Sequence, residues 1–333
     1  MKIIVAHSTA ADLVSFPAYR DALCALLEGA GHKTQLLDLP SIAAPCRALT
    51  NIASYRLLST AETADALICL DAVAAVLRHS CKLVLMLDDT YLAADRMQLP
   101  HERLSDRGYI ANVLQAALRE ADTVFTLSRF ASEGLRALSI DRVEVLPPSY
   151  SPPRFHYPRN PGPELLVLNS LSDRQRPELL IACLAALPEP FRARWIAPYA
   201  PPARLARLRD LAQNAGLEHR LTFEVRAIDG GEKAFLLAHA AALLELAPDL
   251  LAVGNIVHEA IAIGVPVITC TDGGALNEVS PQTSSRPAKP DGTALATGVR
   301  AACAAPVNVS RRTIPPIKPS AIEWAPLLKA LSK

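Results

Sequence analysis

Short runs dense in apolar residues alternate along this chain with amphipathic stretches of helical period, and that alternation defines the expected architecture. The runs Lys2–Ala6, Thr34–Leu39, Ala66–Leu70, Leu83–Leu87, Thr123–Leu127 and Val143–Leu146 predict strands. Between them, helical spacing predicts helices over Pro17–Gly29, Tyr109–Ala121 and Ser132–Leu138. The stretch 150–163 is rich in proline and suits neither a helix nor a central strand. A second series then follows, with strands over Leu165–Asn169, Arg194–Ala197, Leu221–Val225, Ala242–Leu246 and Val265–Thr269. Its helices are expected over Pro177–Leu187, Ala203–Ala215, Glu232–His239 and Ile256–Ile263, the last closed by Gly264, where a left-handed helix end favours glycine. Beyond Val279 the pattern fades to a polar Ser280–Pro290, a helix over Gly292–Ala304, a basic, proline-rich Arg311–Pro319 and a last helix over Ser320–Leu331.

Continuous apolar strands separated by helices indicate parallel sheets covered on both faces. The expectation is an α/β protein of two Rossmann-like domains. The first spans 1–149, a linker 150–163, the second 164–319, and a terminal helix over 320–333 returns to the first domain.

Composition narrows the picture. The 333 residues suit two domains, and half of them are hydrophobic. With 34 basic against 33 acidic residues there is no charge excess to expect nucleic acid as a partner. Seven scattered cysteines without a C-x-x-C pair suggest reduced core thiols rather than a disulfide framework or a zinc site. The opening MKIIVAHS runs from a strand directly into a polar turn, unlike a signal peptide, and no run of eighteen apolar residues occurs. A cytoplasmic location is therefore the expectation.

The richest stretch is 243–279. A strand end is followed by a loop with Pro248, Asp249 and Gly254, then a helix, a buried strand, and the polar turn Thr271-Asp272-Gly273-Gly274. Ligands of open α/β sheets gather beyond the carboxyl ends of such strands. Elsewhere, His7 stands at the end of the first strand, either as a site residue or as a structural one. Asp88 and Asp89 follow the fourth strand, placed either to bind a hydroxylated acceptor or act as base, or to cap the next helix.

Glu259-Ala260, Gly264-Val265-Pro266-Val267-Ile268, Gly273-Gly274 and Glu278 together resemble the nucleotide-sugar segment of retaining glycosyltransferases of family 4, which have the GT-B fold of two Rossmann-like domains facing across a cleft. The resemblance implies transfer of a sugar from a nucleotide-diphosphate donor to a hydroxyl acceptor (a glycan, lipid or protein), with no metal or other cofactor, in glycan, glycolipid or glycoprotein assembly. It leaves peripheral membrane association open. It implies that Glu259 accepts hydrogen bonds from ribose hydroxyls, and that backbone amides around Gly254, Asn255, Ile256 and Val257 receive phosphate at a helix start. Gly273 and Gly274 would allow close approach to the donor. On the acceptor side it places His7, Asp88 and Asp89.

Three positions depart from the family's pattern. Where the family has a first Glu, an Arg and a Lys, this chain has Leu251, Ser170 and Gln175. Arg174 and Arg176 flank the second loop as alternative cations, and Asp249 is an alternative carboxylate. Two readings follow: an active transferase with an altered donor site, or a non-catalytic GT-B protein serving as a partner subunit or a glycan- or protein-binding module. Glu259 is expected to present an accessible carboxylate.

Overall fold

The computed structural model describes residues 1–8, 16–40, 47–58, 63–87, 104–146, 157–169, 171, 175–198, 200–247, 255–272, 286–304 and 324–332. The chain divides into two compact units. One is built from the described residues of Met1–Ser149 and Lys318–Lys333, the other from those of Tyr150–Asp249 and Val253–Ile317.

In unit 1, strands β1 (Lys2–Ser8), β2 (Lys33–Leu39), β3 (Ala66–Cys69), β4 (Lys82–Leu85), β5 (Thr123–Thr126) and β6 (Val143–Val145) form a parallel sheet in the order β2-β1-β3-β4-β5-β6. Side chains alternate across it, as a period of two requires. Ile4 and Ala6 pack with Ile52 and Tyr55 of α2 (Arg47–Arg56), Ile110 and Leu114 of α3 (Leu104–Arg119) and Leu135 of α4 (Arg129–Ala137). Ile3 and Val5 face the other way, onto Tyr19, Leu23 and Leu27 of α1 (Phe16–Gly29). Trp324 and Leu327, at the start of the terminal helix Ala325–Ala330, complete that second layer, with the tryptophan fully buried.

Unit 2 repeats the scheme. Strands β7 (Glu164–Leu168), β8 (Arg192–Ala197), β9 (Leu221–Val225), β10 (Ala242–Glu245), β11 (Val267–Cys270) and β12 (Arg286–Ala288) pair in parallel in the order β12-β11-β10-β7-β8-β9. Helices α5 (Pro177–Ala185), α6 (Pro202–Asn214) and α9 (Gly292–Ala304) cover one face, against Leu165, Trp195, Leu244 and Ile268. On the other, α7 (Gly230–His239) and α8 (Asn255–Ala262) pack Leu236, Leu237, Val257 and Ala260 against Leu166, Ile196, Leu243 and Val267. The chain walks outward from β7 to β9, then returns to lay β10 on the opposite side of β7. The gap between β7 and β10 is therefore this sheet's topological switch point, where open α/β sheets bind ligands.

Three short elements lay outside the expectations, the 3-10 turn Ala74–Val76 among them. Helix α2 is polar on balance, with Arg47, Thr50, Asn51, Ser54 and Arg56 among its ten residues. Strand β12 is three residues long with proline at its centre, tolerable because it is paired on one side only. Among the described residues no helix is long and apolar enough to cross a membrane.

Candidate functional site

The carboxyl ends of β7 and β10 bring together a buried polar pair. Asn169, just past β7, donates its Nδ2 to both carboxylate oxygens of Glu245 at the end of β10, at 3.3 and 3.2 Å. This bond spans the switch point itself. Glu245 is buried, and the Asn169 carbonyl is in turn held by the Trp195 indole N–H at 2.8 Å. Sequence reasoning passed over Glu245. The signal that could have found it is a lone carboxylate closing an otherwise apolar strand.

Helix α8 follows β10 and carries Glu259. It forms because Val257 and Ala260, three apart, both reach the core. It stops at Gly264, whose φ of +77° suits glycine and lets Val265 N donate back to the Ala260 carbonyl at 2.8 Å. Asn255, Ile256 and Val257 form its first turn, where backbone N–H groups precede the intrahelical ladder.

The expected open carboxylate is not what the structure shows. Glu259 is only 6 % exposed, and its Oε1 accepts from Lys233 Nζ at 2.7 Å. Oε2 is buried without a hydrogen-bond partner among the described residues. Burial pushes the Glu259 carboxyl above its ordinary 4.5, with Lys233 opposing that shift. Lys233 also escaped the sequence reading. It is delivered by α7, whose start is fixed by Asp229, the side chain of which accepts from Glu232 N at 2.8 Å. The neighbouring His258 is buried too, and burial alone lowers its pKa to about 4, so it is neutral at physiological pH.

Of the cationic candidates, Arg176 is already engaged. Its guanidinium makes a two-point ion pair with Asp272 past the end of β11, beside the Cys270 thiol. The charge offered to phosphate by the sequence reading is thus matched within the protein. Gln175 is buried at the same helix entrance. Burial raises Cys270 to about 11, so its thiol stays protonated.

Ser170, Arg174, Asp249, Leu251, Gly254, Gly273 and Gly274 lie outside the described residues, as do Asp88 and Asp89. His7 belongs to unit 1, where its Nε2 lies 2.7 Å from Asp38 on the paired edge strand β2. At the corresponding switch point of unit 1, between β1 and β3, the buried Asp71 accepts from Ser8 N and Ala74 N, each at 2.7 Å. That carboxylate ties the strand end to the short 3-10 turn Ala74–Val76. A cavity of about 520 Å³ in unit 1, lined by Arg56, Arg78, His79 and Lys82 among others, lies instead at the amino end of β4. Its Arg56 and Lys82 are committed to Glu120, and Lys82 also to three backbone carbonyls.

The chain matches no protein-family model and no curated protein sequence. Solved structures do resemble it over its whole length. The sucrose-phosphate synthase of Thermosynechococcus elongatus superimposes with a TM-score of 0.73 at 18 % identity, over 100 % of this chain and 97 % of that one. Anabaena HepE in complex with UDP and glucose gives 0.71 at 16 %, covering all of both chains. WaaG, a glycosyltransferase involved in lipopolysaccharide biosynthesis, gives 0.70 at 16 %, over 99 % of this chain and 98 % of that one. At such identities the likeness concerns the fold, which is GT-B.

Proposed function

We propose that this chain is a glycosyltransferase that moves a sugar from a nucleotide-diphosphate donor to a hydroxyl acceptor, with unit 2 holding the donor. The observation that carries the reading is Glu259, a buried carboxylate with one oxygen on Lys233 and the other unsatisfied among the described residues. A buried acceptor left unmade costs about 1–3 kcal/mol, so a ligand that donates a hydroxyl there recovers a penalty the free protein carries. A ribose is such a donor. The first turn of α8, one turn before Glu259, supplies N–H groups and a positive helix end for a phosphate on the same ligand. The HepE complexes with UDP, with UDP and glucose, and with UDP-glucose support the choice of nucleotide. The resemblance to family 4 extends the proposal to a retaining transfer without a metal.

One observation favours the second reading, a GT-B protein that binds without catalysis. A departing diphosphate needs positive charge, yet Arg176 is paired with Asp272 and Gln175 is neutral. Titration calorimetry of the full chain with UDP and uridine, followed by assay of UDP release from UDP-glucose, separates the cases. The proposal requires UDP to bind and Glu259→Ala to weaken it at least tenfold. Binding without UDP release over any acceptor supports the non-catalytic reading. No binding of either ligand removes the nucleotide site altogether.

A further inference from the structure

Lys233 and Glu259 are complementary in a way that their pairing does not exhaust. The Lys233 ammonium carries three hydrogens and, among the described residues, makes one hydrogen bond, to Glu259 Oε1. Glu259 retains Oε2, buried and unsatisfied. The pair therefore offers, side by side, one acceptor oxygen and two spare donor hydrogens. Glu232, the preceding residue of α7, is turned away to Arg226 at 2.9 and 2.6 Å, His258 is neutral, and Glu245 is engaged by Asn169. No other charge contact to Glu259 competes with Lys233 among the described residues.

We infer that Lys233 is a specificity-determining residue of the nucleotide site, and that the Lys233–Glu259 pair reads a vicinal diol through both of its oxygens. One hydroxyl donates to the free carboxylate oxygen, and the adjacent oxygen accepts from the ammonium. This rests on the reading of Glu259 as a nucleotide-binding residue and deepens it. A carboxylate alone would accept one or both hydroxyls with little regard to their geometry. Adding a donor 2.7 Å away fixes which oxygen gives and which receives, and so selects a ribonucleotide over its deoxy analogues. Access follows from the difference in exposure. The side chain of Lys233 is 31 % exposed against 8 % for Glu259, so the lysine is the partner that shifts as a ligand enters. Its long aliphatic stem allows that movement without disturbing the α7 backbone.

The test is calorimetry of the full chain with UDP, 2′-deoxy-UDP and 3′-deoxy-UDP, for the wild type, Lys233→Met and Lys233→Gln. The wild type is expected to lose about tenfold or more in affinity when either hydroxyl is removed, the scale of a charge-assisted hydrogen bond. In Lys233→Met, UDP should weaken and one of the two deoxy penalties should vanish, while Lys233→Gln, which still donates, should restore part of it. If Lys233→Met proves unfolded by circular dichroism, Lys233→Gln alone decides, by a reduced penalty at one hydroxyl. Unchanged ribo-to-deoxy ratios in the folded variants overturn the inference and leave Lys233 a structural ion pair. A wild type that binds none of the three ligands overturns the nucleotide reading itself.

Discussion

Arg176 and Asp272 are joined at two points, Nη1 to Oδ1 at 2.9 Å and Nη2 to Oδ2 at 2.7 Å, across ninety-six positions of sequence. The clamp ties the start of α5 to the end of β11. It also holds a strained residue, because Arg176 has φ +51° directly before Pro177. Left-handed backbone at a non-glycine residue costs of order 1–3 kcal/mol. The half-exposed ion pair contributes only about 0–1 kcal/mol, so strain is the larger effect. Arg176→Gly should therefore be more stable than Arg176→Ala by about 1 kcal/mol, since both lose the clamp and only alanine keeps the strain. Urea denaturation of the two variants decides it; equal midpoints would refute the strain.

The same clamp neutralises Arg176, the described one of the two loop cations expected to meet phosphate. Asp272→Asn should release the guanidinium and widen the affinity gap between UDP and uridine by a few-fold, the gain being limited by solvent screening. Titration of both ligands measures it. An unchanged gap means Arg176 does not face the phosphates.

Two buried groups on α8 give opposite pH signatures. The folded-state pKa of His258 is depressed from 6.5 to about 4. Its contribution to stability is present above 6.5 and is lost as the pH falls toward 4, with a limit of order 3 kcal/mol. His258→Gln should flatten the acid limb of the stability curve across that window. Glu259 is raised instead, so its contribution is full below its ordinary 4.5 and is lost as pH rises through the elevated value. Glu259→Gln should then gain stability relative to the wild type as pH rises from 4.5 toward 7. Thermal melts in a pH series test both signs.

Much of this fold was legible because burial on both faces leaves continuous apolar strands. Ala66–Cys69 and Val267–Cys270, buried at every position, declare themselves, and Gly264 marks a helix end through its backbone alone. What escaped depends on partners distant in sequence. Lys233 reads as an ordinary surface lysine until α7 is laid beside α8. Glu245 acquires meaning only once β10 returns to the side of β7. Asp71 is likewise a loop residue until its two backbone donors, one sixty-three positions away, are in place. Arg176 was identified as a cation, but its neutralisation by Asp272 belongs to tertiary structure. In each case the residue's type was visible, and its partner was not.

Two glycines of α9 should respond to alanine with opposite signs. At Gly292 an added Cβ would lie 2.6 Å from both the carbonyl carbon and the Cβ of Ala182 on α5. Overpacking of that kind costs about 1–3 kcal/mol, outweighing the gain of up to about 1 kcal/mol in helix propensity. At Gly298 the nearest atom would be Ile268 Cγ2 at 3.7 Å, an ordinary contact, so propensity wins there. Gly292→Ala is expected to lower the melting temperature and Gly298→Ala to raise it. A raised melting temperature for Gly292→Ala would mean that the α5–α9 packing is looser than described.

The last prediction separates catalyst from binder. The resemblance places an Arg and a Lys on the diphosphate where this chain has Ser170 and Gln175, and Gln175 is only 9 % exposed. Ser170→Arg with Gln175→Lys should raise affinity for UDP while leaving uridine unchanged, each charge-assisted bond being worth about 1.5–3 kcal/mol. A lysine at so buried a position has no cost-free place without phosphate, because desolvation disfavours its charge. The unliganded double variant should accordingly melt below the wild type, and saturating UDP should recover more of that loss than uridine does, by mass action. If the unmodified chain already favours UDP over uridine by about a hundredfold, roughly 2.7 kcal/mol, other cations grip the diphosphate and the transferase reading prevails. If UDP-glucose turnover appears only in the double variant, the natural chain has kept the nucleoside half of a donor site and lost the half that stabilises the leaving group.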